Sequence, residues 1–266
     1  MLTGKVALVT GGARGIGAAI AHSMSGQGAS VALLDLDGAE AERTAATLPT
    51  ASMAIACDAS AEADVAAAVH AVTERFGGLD VLVNNAGLGR PVGSSGRMAD
   101  LSAADWDAQM AQDLRTTFVV TKAALPHIKA RGGGAVVIIS SITGLVGSTT
   151  QPAQAAAKAG MISLTKSLAL EYAPHDIRVN AICPGYIWTR PWERLVEGLK
   201  RAVPEFAPLA PREVFLELIR RLVPMGREQT VEDIARLAAF LASQAARNIT
   251  GQWISVDGGI TLRQAH

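Results

Sequence analysis

The sequence of 266 residues has little cysteine, no excess charge of either sign and no long apolar run. Cys57 and Cys183 lie far apart in apolar segments, so we expect two reduced, buried thiols and neither a disulfide nor a metal site. Basic and acidic residues both number 24, which argues against a nucleic-acid or anionic-membrane partner. No apolar run approaches the roughly 20 residues that a membrane span needs. These absences predict a cytoplasmic protein.

What the chain does have is apolar residues, which make up 49% of it and are enough for a large core. Short apolar runs alternate with segments of helical periodicity, which predicts βαβ crossovers and one open parallel sheet. Since no linker or repeat interrupts the pattern, we expect a single domain over residues 1–266. The predicted strands are 6–9, 30–36, 51–57, 81–83, 135–139, 178–183 and 252–256, and the main predicted helices are 18–27, 64–76, 106–131, 151–173 and 230–241.

A glycine-rich turn joins the first predicted strand to the first predicted helix. Residues 10–17 read TGGARGIG, with Gly11, Gly15 and Gly17 as the spaced glycines. Such a turn lets a pyrophosphate approach the backbone and directs the positive end of the helix toward it. The strand before it and the helix after it make this a dinucleotide site rather than an ordinary loop.

The choice between NAD and NADP depends on two charged residues. Asp35 ends the second predicted strand, where a carboxylate would bind a ribose 2′-hydroxyl and repel a 2′-phosphate. Arg14, inside the glycine turn, would favour the 2′-phosphate. We expect the carboxylate to dominate, because Arg14 can offset only part of its repulsion for a phosphate dianion. The sequence therefore predicts NAD.

The glycine turn, Asp58 and the NNAG motif of residues 84–87 resemble those of the short-chain dehydrogenase/reductase family. The resemblance extends from about residue 3 to residue 260. It implies a Rossmann-type, doubly wound α/β sheet of about seven strands with helices on both faces, a nicotinamide cofactor, a small-molecule substrate and a homotetramer. The cofactor-binding residues that these patterns and the resemblance indicate are Gly11, Arg14, Gly15, Ile16, Gly17, Asp35, Asp58, Asn85, Ala86, Gly87, Lys158, Pro184, Gly185, Ile187 and Thr189.

The catalytic positions implied by the resemblance depart from the family pattern twice. The family has a serine, a tyrosine thirteen residues later and a lysine four residues after that; here these are Ser141, Gln154 and Lys158. A glutamine amide can donate a hydrogen bond but has no usable acid or base form. Asp113 occupies the position of an asparagine that holds a water in the family's proton relay.

Four explanations of Gln154 are open from the sequence. In the first, the protein is an NAD-dependent alcohol or ketone oxidoreductase in which Lys158, a water on Asp113 or Tyr186 handles the proton. In the second, Gln154 is an introduced substitution that inactivates an ordinary dehydrogenase. The third is a non-redox lyase or hydratase, and the fourth is a silent NAD-binding protein. The two redox explanations are favoured.

Residues 188–226 are predicted to cover the substrate as a lid in two helical pieces, split by prolines. Tyr186, Trp188 and Trp192 are candidate substrate contacts, although such aromatic residues would equally pack the lid against the body. The lid arginines suggest an anionic substrate, but nearby glutamates could pair with them instead. Those arginines are Arg190, Arg194, Arg201 and Arg212.

Overall fold

The computed structural model describes residues 1–87 and 97–263. The strands in this part of the chain are β1 (Val6–Thr10), β2 (Ser30–Asp35), β3 (Ser52–Ala56), β4 (Val81–Asn84), β5 (Gly134–Ile139), β6 (Ile177–Pro184) and β7 (Trp253–Val256). They form one seven-stranded sheet in the order β3-β2-β1-β4-β5-β6-β7, and every neighbouring pair is parallel. The predicted sheet is confirmed.

The helices match the predicted ones within a few residues, with two additions. One is a helix at Gly38–Ala45, which the sequence pattern did not predict. The other is a π-helical segment, Ala111–Arg115, inside the helix that was predicted for residues 106–131. In the structure this helix begins at Ala103. The helices are α1 (Gly15–Gly26), α2 (Gly38–Ala45), α3 (Glu62–Phe76), α4 (Ala103–Met110), α5 (Thr116–Ala130), α6 (Pro152–Tyr172), α7 (Arg190–Ala202), α8 (Pro211–Leu222) and α9 (Val231–Ala242).

Apolar side chains cover both faces of the sheet. The core on one face joins β1 and its neighbours to α1, α2 and α9, and the core on the other joins them to α3, α5 and α6. Every residue of β1, β4 and β6 is buried. Burial on both faces explains why these strands read as continuous apolar runs rather than as alternating ones.

The strand order places the functional motifs at one edge of the sheet. From β1 the chain moves outward to β2 and β3, then returns to place β4 on the other side of β1. Because all strands are parallel, the glycine turn, Asp35, Asn85, Ser141 and Gly185 follow carboxyl ends that lie along the same edge. In open α/β sheets, ligands bind at this edge, where the direction of winding reverses.

The segment predicted as a lid has a small apolar core of its own. It contains α7, a short turn at Pro204–Phe206 and α8, so the two helical pieces and the break at the prolines are confirmed. Its buried residues are Val196, Phe206, Val214, Phe215, Ile219 and Val223.

Both cysteines are buried and free. Burial raises the pKa of each thiol to about 11, which keeps Cys57 and Cys183 protonated at neutral pH. Within residues 1–87 and 97–263, no helix has the length and apolar character that a membrane crossing requires.

Candidate active site

The glycine turn forms a tight cradle at the start of α1. A Cβ atom on Gly17 would lie 2.0 Å from the carbonyl oxygen of Gly11, so no other residue fits there without moving the turn. Gly15 has φ +56°, in the left-handed region that favours glycine, and a Cβ built there meets no atom within 4 Å. The cradle is therefore close-packed beneath and open above, as a pyrophosphate site requires.

Thr10 and Asn85 connect this turn to the end of β4. The Asn85 amide nitrogen donates to the carbonyl oxygens of Thr10 and Gly11, each at 3.0 Å. The backbone N–H groups of Asn85 and Ala86 donate in return to Thr10 Oγ1, also at 3.0 Å. These bonds fix the NNAG motif against the glycine turn, and the Asn85 side-chain oxygen is left buried without a partner.

Asp35 accepts hydrogen bonds from two backbone groups near the glycine turn. Its carboxylate receives the N–H groups of Ala13 and Asp37, each at 3.0 Å. The guanidinium of Arg14 forms ion pairs with two carboxylates, at 2.7 Å from Asp37 and 3.3 Å from Glu40. The hydrogen bond from Arg14 holds the pKa of the Asp37 carboxyl below its usual value. The arginine in the turn is thus paired with two carboxylates.

The other predicted cofactor residues lie in two ordered loops. Asp58 Oδ1 accepts from the backbone and hydroxyl of Ser60, at 2.9 and 2.7 Å. After β6, Gly185 is packed so closely that a Cβ would lie 2.8 Å from both Asp257 and Gln229. Gln229 also accepts the N–H of Tyr186 at 3.2 Å, which fixes the loop that leads through Ile187 to the start of α7 at Thr189.

Ser141 follows β5 at the same edge of the sheet. Its backbone is extended, with φ −165° and ψ 159°, and its hydroxyl accepts the N–H of Thr143 at 3.1 Å. Gln154 and Lys158 lie one turn apart on the first part of α6 and so share a face. Ser140 ties this helix to β5, because its hydroxyl donates to the Lys158 carbonyl oxygen at 2.9 Å.

Lys158 and Asp113 form a buried ion pair. Nζ lies 3.2 Å from Oδ1, within ion-pair distance but outside hydrogen-bonding geometry, and the two side chains are 2% and 0% exposed. The second carboxylate oxygen accepts from the side chain of Gln109 at 2.6 Å. Asp113 was expected at the position of a water-holding asparagine; here its carboxylate contacts the lysine directly.

The π-helical segment brings Asp113 to this position. One residue is gained in the turn, and hydroxyl groups take up the carbonyls near it: Thr116 donates to Ala111 at 3.1 Å and Thr117 to Asp113 at 2.9 Å. Such single π turns inside α-helices are frequent at functional sites. A Cβ on Gly87 would lie 2.5 Å from Asp113 Oδ1, so the NNAG motif ends against the same carboxylate.

The predicted substrate aromatics pack together. The ring of Tyr186 lies 4.6 Å from that of Trp192, and both Trp188 and Trp192 contact Phe215, at 5.1 and 5.2 Å. Burial raises the pKa of Tyr186, which makes it a poor proton acceptor at neutral pH. The three aromatic residues therefore pack against one another and against Phe215, as the packing interpretation expected.

The lid arginines whose side chains the structure describes are largely paired. Arg212 contacts Glu228 through two hydrogen bonds of 2.7 and 2.6 Å, and Arg220 and Arg221 pair with Glu217. The side chains of Arg190 and Arg194 lie outside the part of the structure described. Of the four arginines named from the sequence, Arg212 is thus paired with a glutamate, as the alternative to an anionic substrate expected. An open pocket of about 450 Å³ is lined by Trp188, Glu193, Glu197, Ala210, Pro211 and Arg212.

The residues present fit a nicotinamide dinucleotide. The open glycine cradle, the unpartnered Asn85 oxygen and the carboxylate of Asp35 provide donors and acceptors for phosphate and ribose groups along one edge. Within the described residues, no group of histidine, cysteine, aspartate or glutamate side chains could hold a metal ion.

Three partners in this site were not predicted from the sequence. Asp37 and Glu40 neutralise Arg14, and Gln109 holds Asp113. A signal for each is present: Asp37 and Glu40 have the spacing of a helix cap, and Gln109 precedes Asp113 by one helical turn.

Comparison with known proteins identifies the family of the chain. A family model described as enoyl-(acyl carrier protein) reductase matches residues 11–261. The chain is 40% identical to the oxidoreductase UcpA of Escherichia coli K12 over 98% of its length and 96% of the relative's. It is 38% identical to 2-(S)-hydroxypropyl-CoM dehydrogenase 3 of Xanthobacter autotrophicus, over 98% of each chain.

A solved structure agrees with the same assignment. A protein from Burkholderia xenovorans, assigned to the short-chain dehydrogenase/reductases, superposes with a TM-score of 0.86 at 35% identity and 99% coverage of both chains. The fold and site define a Rossmann-type dinucleotide-binding protein. The chain belongs to the short-chain dehydrogenase/reductase family of oxidoreductases.

Proposed function

We propose that this protein is an NAD-dependent oxidoreductase that transfers a hydride between nicotinamide and a secondary alcohol or ketone. The observation that carries the proposal is the position of Ser141 and buried Lys158 at the same sheet edge as the open glycine cradle. The activity named for the Xanthobacter relative supports the substrate class, since a 2-hydroxypropyl group is a secondary alcohol.

The charges around the adenosine end favour NAD. A 2′-phosphate would meet the Asp35 carboxylate at the end of β2. Arg14 would have to leave Asp37 and Glu40 to compensate, and those pairs already satisfy its charge. We therefore infer that Asp35, with Asp37 and Glu40, disfavours NADP relative to NAD.

Proton movement in this proposal uses the buried ion pair. When bound, the nicotinamide accepts or supplies the hydride. Ser141 and the Gln154 amide donate hydrogen bonds to the substrate oxygen. In alcohol oxidation Nζ first gives one of its protons to Asp113 Oδ1, 3.2 Å away, and the neutral amine then takes the proton of the breaking substrate O–H bond. The pair gains one proton in total and later releases it to water, so charge and atoms balance.

We further propose a single domain over residues 1–266, with residues 188–226 as the substrate lid and Trp188 at its inner side. The separate apolar core of this segment supports its behaviour as a unit. We also propose a small-molecule substrate and a cytoplasmic location. The zero net charge supports the absence of nucleic-acid and membrane partners. A homotetramer is proposed on family membership alone.

The experiment follows the absorbance of reduced nicotinamide with NAD or NADP and a panel of secondary alcohols and polyols. We expect reduction of NAD and a lower rate with NADP. Ser141→Ala should lower the rate, and Ser163→Ala, on the exposed side of α6, should not. No reduction with any alcohol, in a protein that still binds NADH, would refute the oxidoreductase proposal.

A further inference from the structure

The positive charge beside residue 154 already has a counter-ion. Lys158 Nζ and Asp113 Oδ1 are 3.2 Å apart, with side chains 2% and 0% exposed. Gln109 adds a neutral hydrogen bond to the other oxygen of the carboxylate. Lysine and aspartate therefore form a unit with no net charge before any ligand binds.

A tyrosine at position 154 could ionise near neutral pH only if an unpaired cation beside it lowered the pKa of its phenol. The ordinary pKa of tyrosine is about 10, and a neighbouring cation lowers it while a neighbouring carboxylate raises it. Lys158 lies one helical turn from residue 154, and Asp113 lies directly against Lys158. Because the two charges have opposite signs and lie 3.2 Å apart, the carboxylate offsets the effect of the ammonium on such a phenol.

We propose that Asp113 is a positioning residue that neutralises Lys158, so that the departures at residues 113 and 154 are coupled. With Asp113 present, Lys158 does not activate a phenol, and a return of tyrosine alone does not restore the family's acid/base group. The inference rests on the proposed function only in taking this cluster as the proton-transfer site. Its charge argument applies to the protein without any ligand.

The net charge around Lys158 is set by its ion pair with Asp113. Cys183 of β6 also interacts with Lys158, and its thiol is uncharged because burial raises its pKa to about 11. Ser140 and Ser141, which lie between β5 and α6, contribute neutral hydroxyls. Replacing Asp113 is therefore the change that exposes residue 154 to an uncompensated ammonium.

The test titrates the new phenol of Gln154→Tyr by ultraviolet difference absorbance against the parent, which subtracts Tyr172 and Tyr186. We expect a pKa at or above about 10 in the single variant. In Gln154→Tyr/Asp113→Asn it should fall by at least about one unit, a tenfold larger ionised fraction at a given pH below it. Circular dichroism at each pH confirms that the fold persists.

The matched control is Gln154→Tyr/Asp80→Asn. Asp80 is also a buried carboxylate paired with a lysine, Lys5 at 3.0 Å, but it lies at the opposite end of the sheet. This variant should titrate like Gln154→Tyr alone. It separates loss of the charge at residue 113 from loss of any buried carboxylate.

Two results would overturn the proposal. One is a single variant whose phenol titrates about two units or more below 10; the other is an equal pKa with and without Asp113. The first result decides the question even where Asp113→Asn does not fold. Since the titration needs no cofactor, failure of the parent to reduce NAD would refute the proposed function and leave this result standing.

Discussion

Two acidic clusters lie along the same edge of the sheet, one around Asp35 and the other around Asp113. In the Asp35 cluster the carboxylates accept backbone hydrogen bonds and pair with Arg14, which is 41% exposed. In the Asp113 cluster the pair with Lys158 is almost completely buried. The first cluster follows the family pattern, and the second departs from it at residues 113 and 154.

The difference in burial determines how strongly a mutation in each cluster should affect cofactor preference, proton transfer and stability. Exposed ion pairs contribute about 0–1 kcal/mol, because water screens them. Breaking a buried pair by removing one partner costs about 3–5 kcal/mol, since an uncompensated charge is left inside. The adenosine side can therefore adjust cofactor preference by modest amounts, while a change at the Asp113 side alters both proton transfer and stability.

The largest expected effect follows Lys158→Met, which removes the group proposed to take the substrate proton. The rate should fall by about 10²–10⁴, the usual contribution of an acid/base group. Affinity for NADH, measured by fluorescence, should change much less. Lys166→Met is the control, because Lys166 is on the same helix but exposed, with its ammonium 4.1 Å from the centre of the Trp253 ring. Turnover that persists in Lys158→Met would remove Lys158 from the mechanism.

Gly17→Ala should instead weaken the binding of NADH at the glycine turn. Its Cβ would lie 2.0 Å from the Gly11 carbonyl oxygen and 2.6 Å from the Asn85 amide, so the turn must move. Overpacking of this kind costs about 1–3 kcal/mol, which corresponds to a loss of NADH affinity of about 5- to 150-fold if it falls on the bound state.

Gly26→Ala is the matched control for this change. Gly26 ends the same helix, and a Cβ there meets nothing within 4 Å. It should leave the dissociation constant of NADH unchanged. If Gly17→Ala binds NADH as tightly as Gly26→Ala, the glycine turn is not the phosphate cradle.

A smaller effect is expected on cofactor preference. Asp35→Ala removes the carboxylate that would repel a 2′-phosphate, and Asp37→Ala releases one of the two acids that hold Arg14. Each should narrow the gap between NADH and NADPH dissociation constants by a few-fold to about tenfold, as expected for partly solvated charges. Glu42→Ala, on the exposed side of α2, should leave the ratio unchanged. A parent that prefers NADPH would mean that Arg14 outweighs the acids.

The parts of the molecule that were predictable from sequence depend on local chemistry. Strands buried on both faces read as apolar runs, and the glycine turn is specified by eight adjacent residues. The start of α9 is specified in the same local way, because Asp233, three residues after Thr230, accepts the N–H of Thr230 at 2.8 Å. In these cases the residues that determine the structure are neighbours in the chain.

What escaped prediction depends on contacts between distant segments. The π turn that positions Asp113 has no sequence signature. The pairing of Asp113 with Lys158 also requires α6 to pack closely on that turn. Gly160 permits this approach, because a Cβ there would lie 3.0 Å from Leu114. The pairing of Arg14 likewise requires α2, which the sequence pattern did not indicate. The sequence therefore indicated which candidate residues lie at this edge of the sheet, whereas their pairings depend on how distant segments pack.

The most direct test of the account is the rate of NAD reduction by the parent and by Gln154→Tyr, measured side by side with the same secondary alcohols. The account predicts that the parent reduces NAD and that tyrosine alone brings no gain, because Asp113 already neutralises Lys158. A silent parent together with full activity in Gln154→Tyr would contradict it. Gln154 would then have inactivated an ordinary dehydrogenase, and Asp113 would not neutralise Lys158 as proposed.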